Sequence, residues 1–374
     1  MENNKIVKII PVFISAIFLF LFVFFFIADK KDFSENENRN LASMPEFSTE
    51  AIIDGTFTEE VGTYLCDHFP FRDSFINIKT QYEKATGHNK INDIYLGDDG
   101  FYIEPYKEPK NTDRIINILN KFTDKVDNAT ITLMLVPNAV TVYEDKLPST
   151  AITGNQLDDI KKYYEQVNMD TIDVSTTLLH HNTQNNLFYR LDHHWTTHAA
   201  YLAYEEFCKH KGFTPVSKSH FDIKTVTDEF KGTVFSKVND YNAKADSIDV
   251  YYQDNIELTV EYDTKKVTTD SLYEMSYLNE KDKYSLFLNN INSLITIENK
   301  NADTNDELVI IKDSYANCFV PFIVNHYKKV YVFDTRYYRF PVSTFINEHP
   351  KVKDVFILYN MNTIDTDNGI KSIF

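Results

Sequence analysis

The pattern of apolar positions divides the chain into a long uniform run, a polar stretch and a folded remainder. Residues 9–28 are uncharged and rich in Phe, Ile and Leu. A run of that length is sufficient to cross the hydrocarbon core of a bilayer, about 30 Å thick. Residues 29–45 are polar, and apolar positions become frequent again only from Phe47. We therefore predict a cytoplasmic tip and transmembrane anchor (1–30), a stalk (31–47) and a folded domain (48–374).

The charges that flank the apolar run predict its orientation. Lys5 and Lys8 precede it, whereas the mixed sequence Asp-Lys-Lys-Asp follows it at positions 29–32. By the positive-inside tendency the amino end stays in the cytoplasm, which makes the chain a single-pass membrane protein with an extracytoplasmic C-terminal domain. A cleaved signal peptide is the alternative. However, the run is longer than the usual signal core and no small-x-small cleavage site follows it.

Strand and helix patterns alternate in most of the folded remainder. Short β-branched runs such as 129–136 and Glu307–Lys312 are typical of buried parallel strands, and they alternate with segments of helical spacing such as 198–210. This alternation indicates a three-layer α/β fold, a parallel sheet with helices on both faces. Residues 213–300 differ, since they are rich in Thr, Tyr and Val and show little helical periodicity. They are predicted to be a β-rich insertion. Further helices are predicted at 111–126, 156–168 and 315–327, and further strands at 94–97, 100–103, 171–174, 329–333 and 355–359.

Composition and charge narrow the class of protein. The 374 residues are 43% hydrophobic and 14% aromatic, which is ample for a buried core. The formal charge of -17 is spread along the chain, so most faces would repel a phosphate backbone and no nucleic-acid partner is expected. The three cysteines are far apart and lack a CxxC spacing, which indicates neither a disulfide framework nor a thiolate zinc site.

The sharpest chemical signal is a cluster of an acid, two histidines and the only tryptophan just before a predicted helix. Asp192, His193, His194 and Trp195 are consecutive. An Asp two residues before a His can hydrogen-bond one ring nitrogen in a tight loop and leave the other nitrogen free as a base. A metal site is the alternative, since His194 and His198 could share a helix face. No third ligand is nearby in the sequence, and we predict no metal and no cofactor.

A second signal lies where an apolar strand is predicted to end and a helix to begin. The sequence Lys312-Asp313-Ser314-Tyr315-Ala316 would expose Ser314 at the carboxyl edge of the sheet. There its backbone amide and the positive end of the helix could stabilise an oxyanion. Ser and Asp are also the preferred N-caps of ordinary helices, so this segment by itself does not separate a nucleophile from a cap.

Together the two segments resemble the DHHW family and, more distantly, the alginate O-acetylation proteins of the AlgX and AlgJ type within the SGNH hydrolase group. The resemblance extends from about residue 36 to the C-terminus and is weakest in the insertion. One departure is Lys312, which stands where the related motif usually has Gly before Asp-Ser. Other matching segments are Asn38-Arg39-Asn40-Leu41, Phe69-Pro70-Phe71-Arg72, Leu96-Gly97-Asp98-Asp99-Gly100, Val136-Pro137-Asn138, Phe230-Lys231-Gly232-Thr233 and Asp334-Thr335-Arg336-Tyr337-Tyr338.

The resemblance implies a Ser-His-Asp triad in which the acid and the base precede the nucleophile along the chain. Carried over by position, Ser314 is the nucleophile, His194 is the general base and Asp192 orients His194. The Ser314 amide is one expected oxyanion donor. The candidates for the oxyanion hole or for substrate contacts are Asn138, Asn317, Trp195, Arg336 and Tyr337.

The implied function is that of an extracytoplasmic O-acetyltransferase or acetylesterase that modifies a cell-surface or secreted polysaccharide through an acetyl-serine intermediate. Transfer and hydrolysis differ only in the final acceptor, a sugar hydroxyl or water. The resemblance also implies a membrane-bound O-acyltransferase as the acetyl donor. The alternative from another class is a noncatalytic glycan-binding or scaffolding subunit of a polysaccharide acetylation complex.

Overall fold

The computed structural model describes residues 3–184 and 186–374. The chain forms two compact units. The smaller comprises the chain up to His88 together with Ser236–Asn242, and the larger comprises Asn89–Phe235 and Ala243–Phe374. The structure groups residues 48–88 with the smaller unit, and the predicted start of the catalytic domain at residue 48 stays a prediction.

The smaller unit begins with a long apolar helix. The stretch Ile9–Ile27, with a mean hydropathy of 2.9 over its best window, is long and apolar enough to cross a membrane. Such a helix at the amino end is compatible with a single-pass anchor or a signal sequence. Part of the predicted stalk is held by an ion pair, in which the Arg39 guanidinium donates to both oxygens of Asp67 at 2.9 and 2.5 Å. The elements are α1 (Asn3–Ile27), β1 (Phe33–Ser34), β2 (Arg39–Asn40), α2 (Thr49–Ile53), α3 (Thr56–Asp67) and α4 (Arg72–Ala85).

The larger unit contains most of the strands, several helices and short 3-10 turns. In chain order its elements are β3 (Lys90–Ile91), β4 (Ile94–Leu96), β5 (Tyr102–Ile103), α5 (Thr112–Thr123), β6 (Thr130–Val136), α6 (Ala139–Val142), α7 (Gln156–Gln166), β7 (Asp170–Ile172), α8 (Ser175–His180), α9 (Thr197–Lys211), β8 (Asp222–Phe230), α10 (Thr233–Val238, which continues into the smaller unit), β9 (Asp246–Tyr252), β10 (Leu258–Tyr262), β11 (Val267–Thr269), β12 (Leu294–Asn299), β13 (Glu307–Lys312), α11 (Val320–Ile323), β14 (Lys329–Asp334), α12 (Val342–Glu348), β15 (Val352–Asn360) and α13 (Met361–Ile364).

The larger unit is organised around an eight-stranded sheet with the order β11-β10-β12-β14-β13-β15-β6-β7. In the part of the sheet with the order β14-β13-β15-β6-β7, adjacent strands are parallel. The remaining three strands come from the predicted β-rich insertion and extend the sheet in antiparallel pairing. The insertion is therefore β-rich as predicted, but three of the five strands described in it belong to the main sheet. The other two, β8 and β9, form a separate two-stranded sheet.

Helices cover both faces of the parallel strands. Phe356 of β15 packs on Phe207 of α9, with 4.8 Å between ring centroids, and Phe333 of β14 packs on Phe345 of α12 at 5.0 Å. The sheet register pairs Phe356 with Ile310 and Phe333 with Ile311. Because successive residues of a strand point to opposite faces, α9 and α12 lie on opposite sides of the sheet. The predicted three-layer α/β fold is confirmed.

One predicted helix is replaced by short turns. The segment 315–327 forms a 3-10 turn at Ser314–Cys318, the short helix α11 and a second 3-10 turn at Val324–His326. Pro321 lies in the first turn of α11, where its missing N–H is tolerated but cannot continue a preceding helix. As a result, the residues after β13 follow a tight 3-10 path.

We expect Phe356→Ala to destabilise the larger unit. Phe356 is fully buried and contacts Phe207 and Phe319. Removal of the ring leaves a cavity, which should lower the free energy of unfolding by about 3–5 kcal/mol. The control Phe340→Ala, whose side chain is 70% exposed, should change it by less than about 0.5 kcal/mol. Denaturant unfolding of both variants measures the difference, and equal effects would contradict the described core.

Candidate active site

A tight loop before α9 holds Asp192 and His194 together. The backbone N–H of His194 donates to Oδ1 of Asp192 at 3.0 Å, and Nδ1 of the same histidine lies 2.5 Å from that oxygen. The helix begins immediately afterwards, because the Thr196 side chain caps it by accepting from the N–H of Ala199. The loop is thus fixed at one end by the carboxylate and at the other by the helix cap.

Ser314 follows β13 at the carboxyl edge of the sheet. It is half-buried, whereas its neighbours on both sides are buried. Its Oγ lies 2.7 Å from Nε2 of His194. Because Nδ1 of His194 donates its proton to Asp192, Nε2 carries the lone pair and accepts from the serine hydroxyl. The three residues named from the sequence therefore form one hydrogen-bonded chain from a carboxylate to a serine.

The other oxygen of Asp192 is held by Thr233. Oδ2 accepts from the Thr233 N–H at 2.8 Å and from its hydroxyl at 3.0 Å. The hydroxyl donates its only proton to Asp192, so Nδ1 of His193, 2.6 Å away, is the donor in the contact with Thr233. A Cβ on Gly232 would lie 2.1 Å from Asp192 Oδ2, and only glycine fits there. The Lys231-Gly232-Thr233 segment was part of the resemblance but had no assigned role.

Burial and neighbouring charges set the protonation states of the pair. Burial alone raises the pKa of Asp192, but the adjacent imidazoles of His194 and His193 and the hydrogen bonds it accepts hold that pKa well below its usual value. Burial, together with the nearby charge of His193, lowers the pKa of His194 to about 4. At neutral pH Asp192 is therefore charged and His194 is neutral, the state that can accept a proton from Ser314.

Tyr284 covers the ring of His194. The two rings are stacked with centroids 3.7 Å apart and planes 11° apart, and the tyrosine hydroxyl donates to the Ser314 carbonyl at 3.1 Å. Burial raises the pKa of Tyr284, so it stays neutral. An aromatic face beside an imidazole stabilises the cationic form of the imidazole. Sequence reasoning missed Tyr284 because it comes from the β-rich insertion and belongs to none of the segments that carry the resemblance.

Trp195 and Asn138 lie in the framework around the site. Trp195 is fully buried, and its Nε1–H donates to the Tyr315 carbonyl at 2.8 Å. The Tyr315 hydroxyl donates to the His193 carbonyl at 2.5 Å and accepts from Asn138 Nδ2 at 2.8 Å. Nδ2 of Asn138 also donates to Asn360 Oδ1 at 3.1 Å, so both of its amide protons are engaged. The two residues thus connect the histidine loop to the serine turn.

Asn317 lies one 3-10 turn after Ser314. Side chains three residues apart eclipse in a 3-10 helix, so these two project on the same side. The buried Lys312 donates from Nζ to Asn317 Oδ1 at 2.7 Å and lies 3.5 Å from Asp334. Burial lowers the pKa of Lys312, while the charge of Asp334 opposes that shift. The lysine that departs from the family pattern therefore fixes which way the Asn317 amide points.

Arg336 and Tyr337 follow the end of β14 beside this network. The Arg336 guanidinium binds Asp334 through Nε at 2.8 Å and through a terminal nitrogen at 2.6 Å. Tyr337 is 42% exposed, with its ring 5.6 Å from the guanidinium carbon of Arg336. Arg336 also lines an open cavity of about 430 Å³, together with Arg339, Thr363, Thr366 and residues 367–369.

Asp192, His193 and His194 are also close enough together to hold a metal ion. One ligand atom from each lies within 4.8 Å of the others. His198, the other residue considered for a metal, instead places Nε2 3.3 Å from Gln184 Oε1. Nδ1 of His194 and both oxygens of Asp192 already take part in hydrogen bonds, which a metal ion would have to replace.

The sheet and this site define a three-layer α/β protein in which polar residues gather at the carboxyl edge of the parallel strands. The chain belongs to the DHHW family, since the family model described as DHHW protein matches residues 37–99 and 77–333. The predicted family is confirmed.

Solved structures show the same fold at low sequence identity. A DHHW family protein from Eubacterium siraeum is 24% identical, with a TM-score of 0.67 over 75% of this chain and 96% of that chain. PatB1 from Bacillus cereus is 18% identical, with a TM-score of 0.61 over 75% of this chain and 99% of that chain. PatB1 has also been solved with a sulfonyl adduct, at 17% identity and a TM-score of 0.62 over 75% and 97% of the two chains. No curated protein is significantly similar to this sequence.

We expect His194 to titrate near pH 4 in the folded protein. Burial disfavours the charged ring, so the pKa should lie well below the ordinary value of about 6.5. NMR titration of histidine-labelled protein measures this pKa. The His194→Gln variant assigns the signal, and the control variant Asn77→Gln should leave that signal and its titration unchanged. An ordinary pKa for His194 would contradict the described burial.

Proposed function

We propose that this protein is an extracytoplasmic serine-dependent O-acetyltransferase or acetylesterase that acts on a cell-surface or secreted polysaccharide. The observation that carries the proposal is the 2.7 Å contact between Ser314 Oγ and His194 Nε2, with Asp192 2.5 Å from the opposite ring nitrogen. That geometry meets the requirement for a serine activated by a general base whose tautomer is held by a carboxylate.

The reaction proceeds through two acyl transfers. Ser314 Oγ attacks the acetyl carbonyl while its proton moves to His194 Nε2, and the tetrahedral intermediate collapses as His194 returns that proton to the leaving oxygen. In the second half an acceptor hydroxyl, from a sugar or from water, gives its proton to His194 and attacks the acetyl-serine. As this tetrahedral intermediate collapses, His194 gives the proton to Ser314 Oγ, which regenerates the serine. Asp192 stays charged throughout and stabilises the imidazolium.

We assign the oxyanion hole to the Ser314 backbone amide and the Asn317 side-chain amide. Ser314 N–H has no hydrogen-bond partner among the described residues, and Asn317 projects on the same side as Ser314. Lys312 acts as a positioning residue because it occupies Asn317 Oδ1 and leaves Nδ2 to donate. Asn138, with both amide protons engaged, positions Tyr315 instead.

The setting of the site supports a large hydroxylic acceptor outside the cell. Arg336 lines an open cavity and the neighbouring Tyr337 is exposed, and a sugar chain could lie on the surface that they form. The apolar helix α1 would anchor the chain in the cell membrane, where a membrane-bound O-acyltransferase could supply acetyl groups to Ser314. Trp195 is too deeply buried to serve as a sugar platform and supports the site through its contact with Tyr315.

We expect the purified protein to turn over a chromogenic acetyl ester through Ser314. Ser314→Ala should lower kcat/KM by about 10³-fold or more, because the nucleophile is lost. Ser219→Ala, at an exposed serine, is the matched control and should retain activity. The sulfonyl adduct carried by the similar Bacillus cereus protein suggests an active-site probe. A sulfonyl fluoride should label Ser314 and, by mass spectrometry, leave Ser314→Ala unlabelled.

The same variants separate the enzyme from its alternative. Cells that carry Ser314→Ala should lose acetyl groups from their surface or secreted polysaccharide, and cells that carry Ser219→Ala should not. Unchanged acetylation, together with no turnover of the ester by the unmodified protein, would favour a noncatalytic glycan-binding or scaffolding subunit. Activity that disappears with a chelator and returns with a divalent metal would instead favour a metal site at Asp192, His193 and His194.

We expect Asn317 and Lys312 to affect kcat more than KM. Asn317→Ala removes an oxyanion donor and should lower kcat by about 10²-fold or more. Lys312→Met removes the group that orients Asn317, together with its ion pair to Asp334, and should give a smaller loss in kcat. Lys329→Met, at the opposite end of the neighbouring strand β14, is the control. A rise in KM with unchanged kcat for Asn317→Ala would contradict the assigned role.

A further inference from the structure

Helix α4 exposes a stripe of apolar side chains that take no part in the proposed reaction. Phe71, Phe75, Ile78 and Tyr82 recur at spacings of four, three and four residues, so they lie along one face of the helix. They are 51%, 48%, 61% and 67% exposed. The opposite side is polar and covered, as where Thr80 Oγ1 donates to the Val238 carbonyl at 2.9 Å. A continuous exposed apolar face of this kind marks a binding surface.

The stripe begins at a turn that directs an aromatic ring onto the apolar helix α1. Phe71 has left-handed backbone angles, φ 59° and ψ 24°, which a bulky side chain rarely adopts. Its ring stacks on Phe24, with centroids 5.1 Å apart and planes 14° apart. The Phe69-Pro70-Phe71-Arg72 turn, which belongs to the family resemblance, therefore packs beside the segment that is apolar enough to span a membrane.

The contact with α1 indicates the depth of the turn in a membrane. The 19 residues of Ile9–Ile27 rise about 28 Å, which matches the hydrocarbon core. An open groove of about 700 Å³ is lined by α1 residues between Phe18 and Phe26 and, on its other side, by Leu65, Phe69 and Pro70. This half of α1 leads to the folded part of the chain. When α1 spans a bilayer, the turn beside it lies at the level of the acyl chains in that leaflet.

The charge balance of α4 is more favourable for contact with lipid phosphates than the net charge of the whole chain. The helix carries three basic residues and two acidic ones, in a chain whose formal net charge is -17. Lys79 flanks the stripe with its side chain 59% exposed and its ammonium group 3.6 Å from Glu83. Its long stem would allow that group to turn from Glu83 to lipid phosphates. Aromatic rings such as Phe75 and Tyr82 are the side chains preferred at the boundary between acyl chains and headgroups.

We propose that the turn at residues 69–71 and the stripe formed by Phe71, Phe75, Ile78 and Tyr82 insert into the phospholipid leaflet on the side of the folded domain. Helix α4 is then an interfacial helix that lies beside the anchor, with acyl chains in the groove between α1 and the turn. This inference rests on the part of the proposed function that makes α1 a membrane anchor, and it is independent of the catalytic residues.

Tryptophan fluorescence in brominated lipid vesicles tests this proposal on the full chain. The vesicles contain phosphatidylcholine and phosphatidylglycerol, with or without bromine on the acyl chains. The only native tryptophan, Trp195, is fully buried and gives a constant background. Phe18→Trp reports the anchor, Phe75→Trp the stripe, and Lys79→Trp its flank. Bromine should reduce the added emission at least about twofold at positions 18 and 75 and less at position 79, which acrylamide should quench instead.

Each other outcome overturns the proposal in a recognisable way. Quenching at position 18 without quenching at position 75 would leave the anchor intact and remove the interfacial helix. No quenching at either position would remove the anchor and, with it, the interfacial helix. Protection of position 75 from acrylamide without quenching by bromine would mean that a protein surface, from a partner or a second copy, covers the stripe. Circular dichroism of each variant, compared with that of the unmodified protein, checks that the protein is folded whether or not it hydrolyses the ester.

Discussion

A buried carboxylate must be compensated by hydrogen bonds, and the arrangement of the site follows from how Asp192 meets that requirement. Its two oxygens accept from the backbone and ring of His194 and from the backbone and hydroxyl of Thr233. The cost of burying an uncompensated charge would be several kcal/mol. The hydrogen bonds to Asp192 therefore hold the loop before α9 against the chain after β8. The carboxylate leaves space at Gly232 only for a hydrogen atom.

The parallel sheet supplies the second half of the arrangement. Chain segments that leave neighbouring parallel strands meet at one edge, so Ser314, Asn138 and Asn360 come together from β13, β6 and β15. Asp313 joins two of these segments by accepting from the backbone and side-chain N–H groups of Asn360 at 2.7 and 2.6 Å. Burial raises the pKa of Asp313 to about 6 even with these donors. Asp313 thus ties the serine turn to the end of β15.

The two units bury their apolar residues to different extents. In the larger unit the aromatic rings of the sheet and helices are enclosed, as Phe356 and Trp195 are. In the smaller unit α1 and one face of α4 leave large apolar side chains exposed, among them Phe75 and Ile78. The proposed lipid environment would account for the exposed side chains of both helices, because apolar groups that lie in a bilayer need no protein partner. The catalytic proposal depends on the larger unit and the membrane proposal on the smaller.

The sequence by itself determined the features that depend on local patterns. Periodicity predicted the apolar helix, the buried strands such as β13 and the helix α9, because neighbouring side chains repeat with the period of each element. Motif positions singled out Asp192, His194 and Ser314. Only the tertiary structure decided which residues surround them. Tyr284 contacts His194, and Thr233 binds Asp192, each from a distant segment of the chain. Lys312 binds Asn317 across a 3-10 turn. Asn138 donates its amide protons to Tyr315 and Asn360. Such contacts depend on how strands and loops converge in space, which no local pattern along the chain encodes.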